Sequence, residues 1–331
     1  MVKVAINGLG RIGRAALKIL LQKGQLDVVA VNDLIPPDGL AYLLRFDTVY
    51  GRHPQPVVPE SDGLTVGDRK IRVLSEKDPA ELPWDQLGVD VVLECTGRFT
   101  RREDLEKHLA AGARKAILSA PAKGGGIDTV IYGVNTELPD QPIVSCASCT
   151  TNCITPLIEI LGRRIGVEKA MLSTVHAYTG SQALVDTYNK KARRGRAAAA
   201  NLVPTSTGAA IATTRVLTQY DGKFDGVAVR APVPAGSVAD VVALTSRPTS
   251  VEEVNDLFRE EAAGDRYRGI VGVTEEALVS SDILGDDRAS VVDLAMTMVV
   301  DGDMVKVMSW YDNEWGYANQ MIRTATALAG K

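Results

Sequence analysis

Hydrophobic and polar positions change period along this chain, and that rhythm predicts its elements. Residues 2–7 alternate as a strand does. Ile12, Ala15, Ala16, Ile19 and Leu20 then recur at helical spacing within 11–23, and residues 26–31 form a second apolar run. Further strands are predicted at 89–97, 115–121 and 129–135, with a helix over 102–111. Strands alternating with helices predict an α/β fold with a doubly wound, parallel Rossmann sheet, whose ligand edge is the carboxyl end of its strands. Beyond about residue 150 the strand patterns lengthen, at 170–177, 227–233, 238–244, 290–299 and 304–311. Helices are predicted there at 207–218, 250–263 and 315–330. This half reads as an α+β region with a mainly antiparallel sheet. The expected division is a dinucleotide-binding domain over 1–148 and a catalytic domain over 149–314, with the final helix, about 315–331, packing back on the first domain.

Composition narrows the function classes. The 331 residues are 45% apolar and 24% charged with a formal net charge of −4, which gives no electrostatic case for nucleic acid or an anionic membrane. No run of 18 apolar residues occurs and the start lacks a signal-peptide layout, so a cytoplasmic protein without a membrane role is expected. Cys146, Cys149 and Cys153 crowd together, with Cys95 apart, which suits reduced thiols better than a disulfide framework. No metal site is expected, because neither a Cys-x-x-Cys pair nor His-Glu-x-x-His is present.

Chemistry enters first at Gly8-Leu9-Gly10-Arg11-Ile12-Gly13, which lies between a strand and a helix. Gly8 and Gly10 permit a tight turn and close approach of a pyrophosphate, while the helix N-terminus faces its charge. Asp33 closes the second strand 20 residues after Gly13, where a carboxylate binds ribose hydroxyls. Asp33, Thr96, Gly97, Ser119 and Cys149 all fall at predicted strand ends, so one crevice is expected to hold a cofactor and a thiol. Cys149 lies in a predicted strand-to-helix turn. Unpaired amides and the helix dipole there favour a thiolate nucleophile; the competing reading is a small buried hydrophobe. His176 ends a strand and is a candidate base. The basic stretch 190–196 is a solvated face, a nucleic-acid patch or an anion site. Thr205-Ser206-Thr207-Gly208 precedes a helix and can bind phosphate, and Arg230, within an apolar strand, calls for an anionic partner. Together these point to a phosphorylated substrate.

Five motifs in order resemble the phosphorylating glyceraldehyde-3-phosphate dehydrogenase family. They are Ala5-Ile6-Asn7-Gly8-Leu9-Gly10-Arg11-Ile12-Gly13-Arg14, Ser148-Cys149-Thr150-Thr151-Asn152-Cys153, His176-Ala177-Tyr178-Thr179-Gly180, Pro204-Thr205-Ser206-Thr207-Gly208-Ala209-Ala210 and Trp310-Tyr311-Asp312-Asn313-Glu314-Trp315-Gly316-Tyr317. The resemblance runs from residue 2 to about 328. It implies oxidative phosphorylation of D-glyceraldehyde 3-phosphate, with Cys149 as nucleophile and His176 as base. It further implies that Thr179 and Arg230 hold the substrate's phosphate. Ser148, Thr150, Thr207 and Gly208, with Arg194 nearby, would hold inorganic phosphate. Arg11, Ile12, Asp33, Lys77, Thr96, Gly97, Ser119, Asn313 and Tyr317 would contact the dinucleotide, Asn313 at the nicotinamide. A homotetramer is implied, with the loop of about 178–201 near a neighbour's cofactor.

Three positions depart from the family pattern. Ser181, followed by Gln182, replaces an acid. Thr187-Tyr188 replaces the Leu-Pro common near the ribose, and Lys77 replaces an arginine at an adenine contact. Asp33 argues for NAD, and Thr187-Tyr188 leaves NADP as the alternative. Erythrose-4-phosphate dehydrogenase, which hydrolyses the thioester, is the sister reading; an RNA-binding or scaffold protein built on 190–196 is the non-catalytic one.

Overall fold

The computed structural model describes residues 1–135 and 137–330 and divides into two compact units. The first comprises Met1–Val130, Glu137–Ala147 and the chain from Met321; the second comprises Ser148–Gln320 and a short segment beginning at Ile131. The division thus falls between Ala147 and Ser148, and the single helix Trp315–Ala329 is shared between the units.

The first unit is built on a nine-stranded sheet. In spatial order its strands are Asp128–Thr129, Ile143–Ser145, Lys115–Leu118, Val91–Glu94, Lys3–Asn7, Asp27–Asn32, Arg69–Leu74, Gly63–Val66 and Val57–Pro59. Pairing is parallel through Arg69–Leu74 and antiparallel for the last two strands. The strand order reverses direction at Lys3–Asn7, whose neighbours are Asp27–Asn32 and Val91–Glu94. In open α/β sheets such a switch point is where ligands bind. Arg11–Lys23 forms as predicted and stops at Gly24, whose φ of 60° supplies the left-handed turn of a helix C-terminus. Apolar side chains pack in two clusters, one around Trp84, Ala5, Ala30 and Val92, the other around Leu105, Ala116, Leu118 and Ile143.

One predicted strand is corrected. Of residues 129–135, only Thr129 extends a strand, Asp128–Thr129. The chain then turns, with the Val134 and Asn135 amides donating to the Ile131 carbonyl and Gly133 at φ 86°. The apolar run that suggested a strand is enclosed on a turn instead.

The second unit carries a seven-stranded sheet in the order Val203–Ser206, Phe224–Ala231, Val167–Ala177, Ser237–Thr245, Met304–Tyr311, Ser290–Val300 and Val271–Thr274. Its pairing is antiparallel except between Val167–Ala177 and Phe224–Ala231 and between Val271–Thr274 and Ser290–Val300. Along Val167–Ala177, Ala170, Leu172, Thr174 and His176 are buried, while Met171, Ser173 and Val175 are exposed. Period-two alternation therefore puts His176 on the covered face. Helices Cys149–Arg164 and Ala209–Val216 meet through a Thr155–Thr213 hydroxyl contact of 2.8 Å. Helix Val251–Ala263 starts at Ser250, whose hydroxyl accepts from the Glu253 amide.

Candidate functional site

The thiol sits on the first residue of helix Cys149–Arg164. Ser148 caps that helix, its Oγ accepting from the Thr151 amide at 3.2 Å. Before it, Ala147 adopts φ 53°, with its amide donating to Ser145 Oγ at 3.0 Å. Cys149 Sγ lies 3.3 Å from His176 Nε2.

His176 Nδ1 has two neighbours. It is 2.7 Å from the Ala177 carbonyl oxygen and 2.6 Å from Arg230 Nη1, which also donates to that carbonyl at 3.1 Å. Burial and, after it, the Arg230 and Arg194 charges push His176 down to about 3, against the pull of the Ala177 carbonyl. The imidazole is therefore neutral at neutral pH. Burial pushes the Cys149 thiol up, opposed by Arg230 and by the Thr150 hydroxyl and amide. Burial thus opposes the thiolate that the helix N-terminus and Arg230 favour. Cys149 Sγ thus faces a neutral base at 3.3 Å.

Tyr311 braces this pair. Its hydroxyl bonds Thr150 Oγ1 at 2.8 Å and Thr174 Oγ1 at 2.9 Å, and its ring meets the His176 ring edge-on at 5.9 Å between centroids. Asn313 Oδ1 accepts from the Gly236 amide at 3.1 Å and from Ser237 Oγ at 3.0 Å, which leaves its amide nitrogen pointing away from these two. Ser237 Oγ also accepts from the Ala177 amide. Sequence reasoning missed Tyr311, Thr174 and Ser237; a Tyr beside the Asp312-Asn313 turn was the one available signal.

A second cluster adjoins the first. Arg194 donates from Nε to Thr205 Oγ1 at 3.0 Å and from Nη1 to Ser181 Oγ at 3.2 Å. Ser181 Oγ contacts Thr179 Oγ1 at 2.9 Å, and Lys191 Nζ donates to Ser206 Oγ at 3.3 Å. Part of the basic stretch 190–196 is therefore turned to hydroxyls of the chain itself. Thr207 Oγ1 accepts from the Ala209 amide, and Gly208 leads the following helix without a side-chain cap. Arg230 Nε is buried without a hydrogen-bond partner. An orphaned buried donor on a guanidinium calls for an anion.

The first unit holds the dinucleotide candidates. Gly8, Gly10, Asp33, Lys77 and Thr96 line one cavity of about 730 Å³, joined by Asn7 and Asn32 from the strand ends. Arg11, Ile12, Gly97 and Ser119 do not line it; Arg11 pairs with Asp47 at 2.9 Å. Asp33 Oδ2 accepts from the Leu9 amide at 2.7 Å, which ties the acid to the glycine turn. A Cβ at Gly13 would collide with the Gly8 carbonyl oxygen, so Gly13 is needed by the turn itself. A Cβ at Gly10, by contrast, would meet nothing within 4 Å, and its φ of −63° suits any residue. Gly10 thus keeps open a space the chain does not fill, before a helix that no side chain caps. That combination fits a pyrophosphate. Asn313 and Tyr317, also expected at the cofactor, belong to the second unit, where Tyr317 is buried. Tyr188 is 89% exposed.

None of the four cysteines is in a disulfide. Cys146 and Cys153 are enclosed and pushed up to about 12 by burial, Cys95 is pushed up likewise, and only Cys149 faces a base. Among the described residues no helix is long and apolar enough to cross a membrane.

Comparison with known proteins gives two family matches. Residues 2–102 match the glyceraldehyde 3-phosphate dehydrogenase NAD binding domain, and residues 148–313 match the C-terminal domain of the same family. A glyceraldehyde-3-phosphate dehydrogenase of Streptomyces coelicolor is 47% identical over 325 residues, covering 97% of this chain and 96% of that protein. Those of Geobacillus stearothermophilus and Bacillus subtilis are each 46% identical over 333 residues, covering 100% of this chain and 99% of their own.

Proposed function

The chain belongs to the glyceraldehyde-3-phosphate dehydrogenase family, and from that premise we propose that it is the phosphorylating enzyme, converting D-glyceraldehyde 3-phosphate to 1,3-bisphosphoglycerate. It is an oxidoreductase with NAD as cofactor. Bound NAD supplies the acceptor for the substrate's hydride. Gly8, Gly10, Asp33 and Thr96 would hold it, and the family resemblance assigns Asn313 to the nicotinamide.

In this reading Cys149 Sγ bonds to the aldehyde carbon and forms a hemithioacetal. The hemithioacetal hydroxyl gives its proton to His176 Nε2 as the carbon loses its hydride, leaving a thioester on Sγ. Nδ1 must keep its proton for this, donating to the Ala177 carbonyl. A substrate phosphate that draws Arg230 toward itself relieves the crowding at Nδ1 and favours that tautomer. Inorganic phosphate then attacks the thioester carbon and Sγ leaves, which preserves the oxidation energy in an acyl phosphate. Arg194, Thr207 and Gly208 would position that phosphate, and Thr179 with Arg230 the one already on the substrate. The observation that carries the reading is the 3.3 Å approach of Cys149 Sγ to His176 Nε2 beside the unpartnered Arg230 Nε.

NADH formation from D-glyceraldehyde 3-phosphate, followed with and without inorganic phosphate, tests it. Steady turnover is expected only with phosphate. NAD reduction that ignores phosphate and prefers erythrose 4-phosphate would instead establish the hydrolytic sister activity.

We infer a homotetramer in a cytoplasmic setting as part of the same reading; the free thiols support the setting and an exposed apolar sheet face supports the assembly. Met171 and Val227 are 69% and 54% exposed on adjacent strands, with Met298 and Met304 exposed further across the sheet. Exposed apolar faces of this kind mark association sites. The pair Met171→Lys and Val227→Lys is expected to yield a smaller species in analytical ultracentrifugation. An unchanged mass would place the contact elsewhere.

A further inference from the structure

Behind the dinucleotide cavity lies a chain of buried polar groups that the chemistry above does not use. Glu94, His108 and Trp84 are wholly buried, and Asn7 and Asn32 nearly so. Trp84 Nε1 donates to His108 Nδ1 at 3.1 Å. An indole N–H only donates, so His108 carries its proton on Nε2 and gives it to Glu94 Oε2, 3.1 Å away. The other end is fixed as firmly. The Glu76 amide donates to Asn32 Oδ1 at 2.8 Å, and Asn32 Nδ2 donates to the Glu76 carbonyl at 2.9 Å and to Asn7 Oδ1 at 2.7 Å. Asn7 is left to donate from Nδ2 to Glu94 Oε2 at 2.6 Å.

The second carboxylate oxygen, Oε1, accepts from the Thr96 amide at 2.8 Å and from the Thr96 hydroxyl. That hydroxyl accepts from the Arg98 amide at 3.1 Å, which leaves its proton for Glu94. Four donors therefore converge on Glu94, each with its direction set from outside. An ionised carboxylate satisfies all four; a neutral amide must aim its NH₂ at a donor.

What Glu94 ties together is the wall of the cavity. Asn7, Asn32, Glu76 and Thr96 all line it, whereas Glu94, His108 and Trp84 stand behind it. Thr96 in turn backs the glycine turn, since a Cβ on Gly8 would fall 2.7 Å from the Thr96 nitrogen. A displacement of Glu94 is passed both to the pyrophosphate turn and to the Glu76-Lys77 wall.

We propose that Glu94 is a positioning residue for the dinucleotide, its carboxylate oriented by His108 and Trp84 and holding the Gly8 turn and the opposite wall at a fixed spacing. The proposal rests on the NAD reading of this cavity. Calorimetric titration of the full-length protein with NAD tests it, with a thermal melt of each variant alongside. Glu94→Gln is expected to weaken NAD binding about 10-fold, and to raise the KM for NAD with kcat within about two-fold, as one unsatisfied buried contact implies. His108→Phe keeps the bulk behind the wall but removes the donor, and should weaken NAD binding several-fold; it decides alone if Glu94→Gln does not fold. Variants that melt lower yet bind NAD as the unaltered protein does would overturn the positioning role. An unaltered protein that does not bind NAD would overturn the cofactor reading beneath it.

Discussion

Cys149→Ser is expected to lower kcat for D-glyceraldehyde 3-phosphate oxidation by about 10⁴-fold or more, the scale of losing a covalent nucleophile. The substitution is nearly isosteric at the first residue of a helix whose cap, Ser148, is untouched, so the melting temperature should barely move. Two effects combine. A hydroxyl opposite His176 ionises far less readily than a thiol, and an oxygen ester would not retain the energy that the proposed phosphate step needs. Stopped-flow absorbance of NADH, in single turnover, separates loss of the first step from loss of the second. Iodoacetamide should label Cys149 preferentially in the unaltered protein, because its Sγ lies 3.3 Å from His176 Nε2, a base that can take the thiol's proton, while burial pushes the other three thiols up with no such base beside them among the described residues. Residual activity above about a hundredth of the parent would remove Cys149 from the nucleophile's role.

His176→Asn is expected to lower kcat roughly 10³-fold while leaving KM for the aldehyde nearly unchanged, the range for a general base that acts only as the proton moves. The pH dependence carries a sign. Burial and Arg230 hold the His176 pKa down near 3, so the base form is the one present at every pH above that value. The ratio of parent to variant kcat should accordingly stay flat between about pH 6 and 8, since neither end of that window protonates the ring. A ratio that collapses as pH falls through the ordinary histidine range, near 6.5, would mean that the imidazole titrates during turnover. The same depression acts on stability. The unfolded chain takes up a proton at His176 below about 6.5 that the folded chain refuses until about 3, so His176 contributes stability above that window and loses it progressively as pH falls through it.

Local features of both units were legible because their signals are local. The glycine turn, helix Arg11–Lys23 and Asp33 lie within one βαβ unit, and spacing alone identifies them. Cys149 was legible as a helix-initial residue, but its burial was not. The helix N-terminus is written in neighbouring residues, whereas burial comes from distant ones. Tyr311 shows the limit plainly, for it reaches Thr150 across 161 residues and Thr174 across 137, and no short pattern announces either bond. Residues 129–135 were misread because apolar content alone does not distinguish a strand from a buried turn. Gly133 and the Asn135 side chain, which accepts from the Ile131 amide, decided it. Glu94 stayed hidden for the same reason: within an apolar strand, a carboxylate shows nothing of the four donors around it.

Ser181 has one more consequence. Because it offers Arg194 a hydroxyl instead of a carboxylate, that guanidinium stays uncompensated, as does Arg230, whose charge Arg194 already repels. Among the described residues Arg194 bonds the Thr205 and Ser181 hydroxyls and Arg230 bonds His176 Nδ1 and the Ala177 carbonyl, and neither pairs with an acid. The fold thus carries a standing electrostatic debt at this spot, which the phosphate of the proposed reading would settle. By linkage, any anion the site admits would become a counter-ion of the native state, and the protein's thermal resistance would become a gauge of how full that site is.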